Sequence, residues 1–301
     1  MSAGKGKYDA AIIGGGPAGV SCAVWLARLG LAPVLVEASE SIGGLCRRNP
    51  FVDEWNASLP AMTGPEVADN LALSLAQAGV PTHLSCVVEG VRLVADGFVV
   101  AGTGLAEPLR ARYLVLATGV RARGLFPQDG RTGAAAEGVL IGPGAHVVAQ
   151  DFHGKRVAVL GGGDNAFENA LYAQERGAAS VRVYARSLRA QRQFVRRFDA
   201  GNMTLGPYTV DPAARTVNGE RFDVIMVFYG WEPCTQFADG LGLHRSARGF
   251  IATDMQTAQT SCAGVYAIGE VAQRQHPCVV TALADGVTAA KAIQARIEAA
   301  V

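Results

Sequence analysis

The sequence predicts an α/β fold with two parallel sheets, each seeded by a strand, a glycine-rich turn and a helix. Three observations carry this. Residues 10–19, Ala-Ala-Ile-Ile-Gly-Gly-Gly-Pro-Ala-Gly, run from an apolar strand through a Gly-x-Gly-x-x-Gly turn. Residues 157–166, Val-Ala-Val-Leu-Gly-Gly-Gly-Asp-Asn-Ala, repeat the pattern. Further apolar runs at 113–117 and 224–229 suit strands covered on both faces. Together these mark two Rossmann-like dinucleotide-binding units. Two such sites in one chain suit hydride transfer between a nicotinamide and a flavin.

In the first turn Gly14 allows the tight bend, Gly16 admits a pyrophosphate to the backbone, and Gly19 lets the helix pack on the strand. The helix is expected over 17–29. Pro17 and Ala18 lie in its first turn and Gly30 stops it. Its N-terminus offers N–H groups and partial positive charge to phosphates. The next strand, 33–37, ends in Glu37. An acid about 20 residues beyond the turn accepts from the ribose hydroxyls.

Thr63 and Glu66 have capping-box spacing for a helix ending near Gly79. Residues 84–103 alternate like strands of an inserted meander, and 113–119 reads as a buried strand with a glycine turn. Residues 120–154, rich in Gly, Ala and Arg, read as the link to a second unit starting at Lys155. Its closing strand is expected at 224–229. Short strands are expected over 248–269, then a helix from near Val280 to the end.

A chain of 301 residues accommodates two domains. A net charge of +1 without a basic run gives nothing to attract nucleic acid. There is no secretory apolar stretch and no run of about 18 apolar residues, so a soluble cytoplasmic protein is expected, away from membranes. The six cysteines show no metal-ligand spacing and read as free thiols; no metal is expected.

The second turn has Gly161, Gly163 and Ala166, with Asp164 and Asn165 between them. The strand after its helix ends in Val183-Tyr-Ala-Arg186, with no carboxylate. Arg186, Arg189 and Arg192 cluster there instead, and a 2′-phosphate calls for arginine. NADPH is therefore the expected nucleotide. A solvated basic loop reaching Arg197 is the plain alternative.

The order of parts resembles the low-molecular-weight thioredoxin reductases and their flavoprotein relatives. The anchors are Gly14-Gly-Gly-Pro-Ala-Gly19, Thr63-Gly-Pro65, Ala117-Thr-Gly119, Gly161-Gly-Gly-Asp-Asn-Ala166 and Gly264-Val-Tyr-Ala-Ile-Gly-Glu270. The resemblance implies an FAD domain at 1–119 and 238–301, split by an NADPH domain at 120–237, and a homodimer. It places Glu270, after Gly269, on the ribityl chain. Gly43-Gly44-Leu45 resembles the loop over the FAD ribose and pyrophosphate, and Asn56 the polar contact to the isoalloxazine. Ala38, Val87, Thr118 and Gly119 are further expected FAD contacts. The last helix, with Val279, Val280 and Thr281, should aim its N-terminus at the flavin. Asn56 and Thr281 also read as ordinary caps.

The chain departs from that family where its chemistry lies. No Cys-x-x-Cys pair exists anywhere in the sequence. Residues 142–153, where the family carries its dithiol, contain His146 and His153 but no cysteine. The family's Arg-Gln pair beside the flavin aligns with Pro277 and Cys278. Cys46, Cys278 and His146 are the candidate catalytic residues: two lone thiols near the flavin and a proton donor. Tyr229 and Trp231 read as packing or nicotinamide-site walls. The expected activity moves electrons from NADPH through FAD to an external small molecule or redox protein, without a dithiol, and so not as a true thioredoxin reductase. A thiol or disulfide oxidoreductase not using NADPH and a non-catalytic FAD-binding sensor are the alternatives.

Overall fold

The computed structural model describes residues 8–126 and 137–299. The chain divides into two compact units, Met1–Val120 with Pro233–Val301, and Arg121–Glu232.

In the first unit β1 (Tyr8–Ile13) leads through the glycine turn into α1 (Pro17–Arg28) and β2 (Pro33–Val36). A single turn, α2 (Leu45–Arg48), precedes α3 (Gly64–Gln77) and the short β3 (Thr82–His83). Glu66 Oε2 accepts from Thr63 N–H and from its hydroxyl, both at 2.7 Å, which starts α3 as the capping box predicts. Then come β4 (Val87–Val94), β5 (Gly97–Thr103) and β6 (Leu109–Leu116). The sheet order is β3-β2-β1-β6-β5-β4. The 3–2–1–6 part is parallel and the 6–5–4 part antiparallel.

β6 serves both parts. Tyr113–Leu116 pair in parallel with Ala10–Ile13, while Leu109–Ala111 pair antiparallel with Phe98–Val100. The buried strand expected at 113–119 therefore begins at Leu109 and is the last strand of the meander as well. The faces alternate. Ala10, Ile12, Leu35 and Val115 point into one core with α1 and α3, and Ala11, Ile13, Val34 and Leu114 into another with Phe98 and Val100.

The chain leaves through β7 (Val120–Ala122). Of the expected link, residues 127–136 lie outside the described residues. The rest is not a mere link. β8 (Val139–Ile141) is an edge strand of the second sheet, and α4 (Ala145–Val148) follows it. The second unit continues with β9 (Arg156–Leu160), α5 (Asp164–Glu175), β10 (Ser180–Ala185), α6 (Arg192–Val195) and β11 (Met203–Leu205). A small antiparallel sheet follows: β12 (Val210–Asp211), β13 (Thr216–Val217) and β14 (Glu220–Arg221). β15 (Val224–Val227) closes the parallel sheet β11-β10-β9-β15-β8. One face packs on Phe167 and Ala170 of α5; the other packs on Val217 and Phe222. β16 (Trp231–Pro233) pairs with β7.

Residues 233–237, read from sequence as part of the insert, pack with the first unit. Cys234 N–H donates to Gly119 O at 3.2 Å, and Thr118 Oγ1 donates to Cys234 O at 2.6 Å. Of the short strands expected over 248–269 only β17 (Val265–Ala267) forms, beside Leu114–Leu116 of β6. The remainder makes single bridges, Arg245 with Ile251 and Gln259 with Tyr266. The last helix, α7 (Val279–Glu298), packs across α1. Gly286 permits the approach, because a Cβ there would lie 2.5 Å from Ala18 O and 2.7 Å from Cys22 N. Among the described residues no helix is long and apolar enough to cross a membrane.

Candidate nucleotide-binding sites

The first turn has the predicted geometry. Gly14 has φ +111°, and a Cβ there would meet Ala117 O at 2.3 Å. A Cβ on Gly19 would meet Gly14 O at 2.0 Å, so α1 lies directly on the turn. Gly16 is open, with nothing within 4 Å of its Cβ position, and Pro17 and Ala18 begin α1. Gly44, just before Leu45 of α2, lies over the turn; a Cβ on it would come within 3.2 Å of Gly16 Cα. Gly14, Gly16 and Gly44 thus leave a cradle of bare backbone at the start of a helix.

Glu37 is buried at the end of β2, and Ala38 follows it. Its Oε2 accepts from Gly15 N–H at 2.6 Å and its Oε1 from Ser39 N–H at 2.8 Å. Each carboxylate oxygen keeps a second lone pair for a ribose hydroxyl. Cys86 N–H donates to Glu37 O at 2.9 Å, which sets the neighbouring Val87, half exposed, beside the acid. Thr118 follows β6 in a turn with Gly119. Its hydroxyl donates to Cys234 O, so the Thr118-Gly119 turn offers backbone more than a side-chain donor.

Asn56 is 3 % exposed; its Oδ1 accepts from Ser58 Oγ at 2.8 Å, but among the described residues its Nδ2 has no partner. A buried amide donor without a partner is costly unless a ligand supplies the acceptor. Glu270 sits in a short 3-10 turn, Gly269–Val271, where burial pushes its carboxyl above the usual range. Cys46 is half-buried nearby, and its partial burial, then the charges of Asp53 and Glu270, push its thiol up to about 11. A thiol held there stays protonated at neutral pH and is a poor nucleophile.

α7 starts one residue earlier than expected, with Cys278 as its cap. Cys278 Sγ accepts from Thr281 N–H at 3.5 Å, and Thr281 Oγ1 donates to His276 O at 2.7 Å. Thr281 is thus a capping residue, beside Val279 and the exposed Val280. Sequence reasoning missed the pair beneath this end. Arg274 Nη1 meets Asp285 Oδ1 at 2.6 Å, both side chains almost fully buried. Asp285 Oδ2 accepts from Gly269 N–H at 3.0 Å, and Arg274 Nη2 donates to Asp254 O and Met255 O. The pair fastens the Glu270 turn to α7. An aspartate within the apolar run 279–290 was the available signal.

In the second unit Gly161 has φ +143°, and a Cβ there would meet Phe228 O at 2.4 Å. Gly163, like Gly16, is open. Asp164, Asn165 and Ala166 begin α5. Asp164 holds the loop after β10, accepting from Gln191 N–H at 2.7 Å and from its Nε2 at 2.9 Å. Asn165 O accepts from Asn169 Nδ2 at 2.7 Å. Arg186 directly follows β10. Arg189 is exposed, and its N–H donates to Gly162 O at 2.7 Å. His146 is exposed on α4. Among the described residues no cluster of His, Cys, Asp and Glu could hold a metal.

The family model for pyridine nucleotide-disulphide oxidoreductases matches residues 8–204 and 207–286. The chain belongs to that family. It is 28 % identical to a thioredoxin reductase of Bacillus subtilis over 97 % of this chain and 95 % of that protein. It is 30 % identical to a ferredoxin–NADP reductase of Limosilactobacillus fermentum over 88 % of this chain and 86 % of that protein. The crystal structure of Lactococcus lactis thioredoxin reductase superposes with a TM-score of 0.79 at 27 % identity, covering 97 % of this chain and all of the other. The fold is thus α/β with two Rossmann-like domains, and membership of the family makes the chain an FAD-dependent oxidoreductase of the kind that uses a pyridine nucleotide. The residues present fit a flavin dinucleotide: the bare cradle at Gly14, Gly16 and Gly44 admits phosphates, and the orphaned Asn56 Nδ2 awaits an acceptor.

Proposed function

We propose that this oxidoreductase draws electrons from NADPH and passes them through FAD to an external acceptor, without a protein dithiol. The observation that carries the reading is chemical. No Cys-x-x-Cys pair exists in the sequence, and Arg186 and Arg189 follow β10 where an NAD site would present an acid. FAD, when bound, would supply the two-electron carrier.

The chain's own residues divide the work. Gly14, Gly16 and Gly44 admit the FAD pyrophosphate to backbone N–H groups, and Glu37 accepts from the adenosine ribose. Glu270 accepts from the ribityl chain, held in place by Asp285 and Arg274. Asn56 donates to the ring system. The N-terminal turn of α7, Val279 to Thr281, offers its partial positive charge to the ring edge where negative charge develops. In the second unit Gly161 and Gly163 take the pyrophosphate of NADPH, and the arginines its 2′-phosphate. The acceptor is a small molecule or a redox protein, and the chain works as a homodimer in the cytoplasm. His146 is the proton donor in this scheme.

Anaerobic titration with NADPH and with NADH, following the bleaching of the flavin, tests the reading. NADPH should reduce the flavin at much lower concentration. Equal efficiency of the two nucleotides would count against it. A coupled assay with thioredoxin should show no turnover; substantial turnover would force a cysteine into the mechanism. A second reading, a thiol or disulfide oxidoreductase, is favoured by one feature, the exposed Cys278 capping α7. Loss of activity in Cys278→Ser with flavin retained would select it.

A further inference from the structure

Beneath the start of α7 lies a narrow cavity of about 10 Å3, room for about one water. Glu270, Arg274, Cys278, Thr281 and Asp285 are among its walls. Of the described residues that line it, Arg274 is the one cation. Pro277, also in the wall, has no N–H to give, and Cys278 Sγ is committed to Thr281 N–H.

The side chains of Arg274 and Asp285 are 3 % and 6 % exposed, so solvent screens their charges little. The two charges are not equally answered. Asp285 Oδ1 accepts from Arg274 Nη1 at 2.6 Å and its Oδ2 from Gly269 N–H at 3.0 Å, so each oxygen has a donor. Arg274 Nη2 is taken by the carbonyls of Asp254 and Met255. Its buried Nε–H has no partner among the described residues. A donor left over in a buried guanidinium is costly and leaves positive charge in excess. The frame around the pair is stiff. Gly286, next to Asp285, packs on the backbone of Ala18 and Cys22, and a Cβ on Gly269 would come within 2.9 Å of Ala18 Cβ. A buried ion pair adds little net stability over apolar residues of the same volume. Its presence in the cofactor-side wall points to another use.

We propose that Arg274 and Asp285 are positioning residues that set the reduction potential of the bound flavin. The pair holds the Gly269–Val271 turn against the cofactor, and the excess positive charge of Arg274 favours the negative charge that develops there on reduction. The proposal rests on the FAD part of the reading above and not on the electron donor.

The test uses the full-length flavoprotein, reduced with dithionite in the presence of a reference dye, so that no nicotinamide is needed. The midpoint potential and the rate of FAD release on dilution are read together. Arg274→Gln leaves Asp285 alone and should lower the potential. Asp285→Asn leaves Arg274 alone and should raise it. Each should release FAD about tenfold faster, as expected when one partner of a charge-assisted hydrogen bond is removed. The double variant, neutral at both positions, should return the potential close to that of wild type. Arg274→Lys, which keeps the charge, should shift it less than Arg274→Gln does. A brace that acts on stability alone would move both single variants the same way or not at all, and either result overturns the proposal. Asp285→Asn keeps an oxygen for Gly269 N–H and is the variant expected to hold its FAD. An unchanged or lowered potential there overturns the proposal whatever Arg274→Gln does. Opposite shifts in a protein that NADPH fails to reduce would sink the proposed function alone. A purified protein without FAD would sink both.

Discussion

Burial holds the Glu270 carboxyl above the ordinary carboxylate range. A group whose folded value is raised contributes stability at low pH and loses it as pH rises through that value. The apoprotein should therefore lose thermal stability between the ordinary carboxylate value and the raised one. Glu270→Gln should flatten that part of the profile while weakening FAD retention about tenfold. Calorimetry across pH on wild type and variant apoproteins checks this; parallel profiles would refute the assigned burial. The cysteines divide in the same way. Burial pushes Cys22 up to about 12 and Cys46 up to about 11, whereas Cys278 is exposed. At neutral pH an alkylating reagent should label Cys278 well before Cys46, as peptide mass mapping over time would show. Prior labelling of Cys46 would restore it as a nucleophile. Gly14, Glu37 and Gly161 were legible in the sequence because turn chemistry is local: the bend, the phosphate approach and the acid lie within one βαβ stretch. The Arg274–Asp285 pair was not legible, because it closes only when α7 folds back on the Gly269 turn. The bond from the Thr118 hydroxyl to Cys234 O was not legible either, because the acceptor lies 116 positions away in the sequence.

α1 and α7 meet through backbone at Gly286, where a Cβ would press on Ala18 O and Cys22 N. Neither contact is the tip of a flexible side chain, so the helices must separate to admit a methyl group. Gly286→Ala should cost about 1–3 kcal/mol, despite the better helix propensity of alanine. Urea unfolding would measure it; an unchanged or raised midpoint would mean that the helices part without cost. At this scale the sequence was most legible where pattern and punctuation agree. α3 has its capping box at Thr63–Glu66 and Gly79 at φ +66° just past its end. The region 248–264 has apolar residues and turns but no neighbour along which to extend a ladder, so it forms bridges rather than strands. The strand at 139–141 is not legible in the sequence because three residues carry no period, and among the described residues it is held as a strand by Ile225–Val227 of β15.

Over the whole molecule, each glycine turn belongs to a unit with its own cores. Hydrogen exchange should therefore separate the two nucleotides. FAD should slow exchange at 14–19, 43–46 and 269–281, and NADP+ at 161–166 and around Arg186. Protection of 161–166 by FAD would reverse the assignment. The split of the first unit has a further consequence, which arises at β6. Leu114–Leu116 find their outer neighbour in Val265–Ala267. A ribosome delivers that neighbour only after the whole of Arg121–Glu232 has emerged. The later-born unit is continuous in sequence and can close its cores at once. The earlier-born sheet waits with an apolar edge open at Leu114–Leu116, the kind of edge that recruits a foreign strand. Nascent chains stalled before residue 265 should depend on a chaperone far more than the finished protein does.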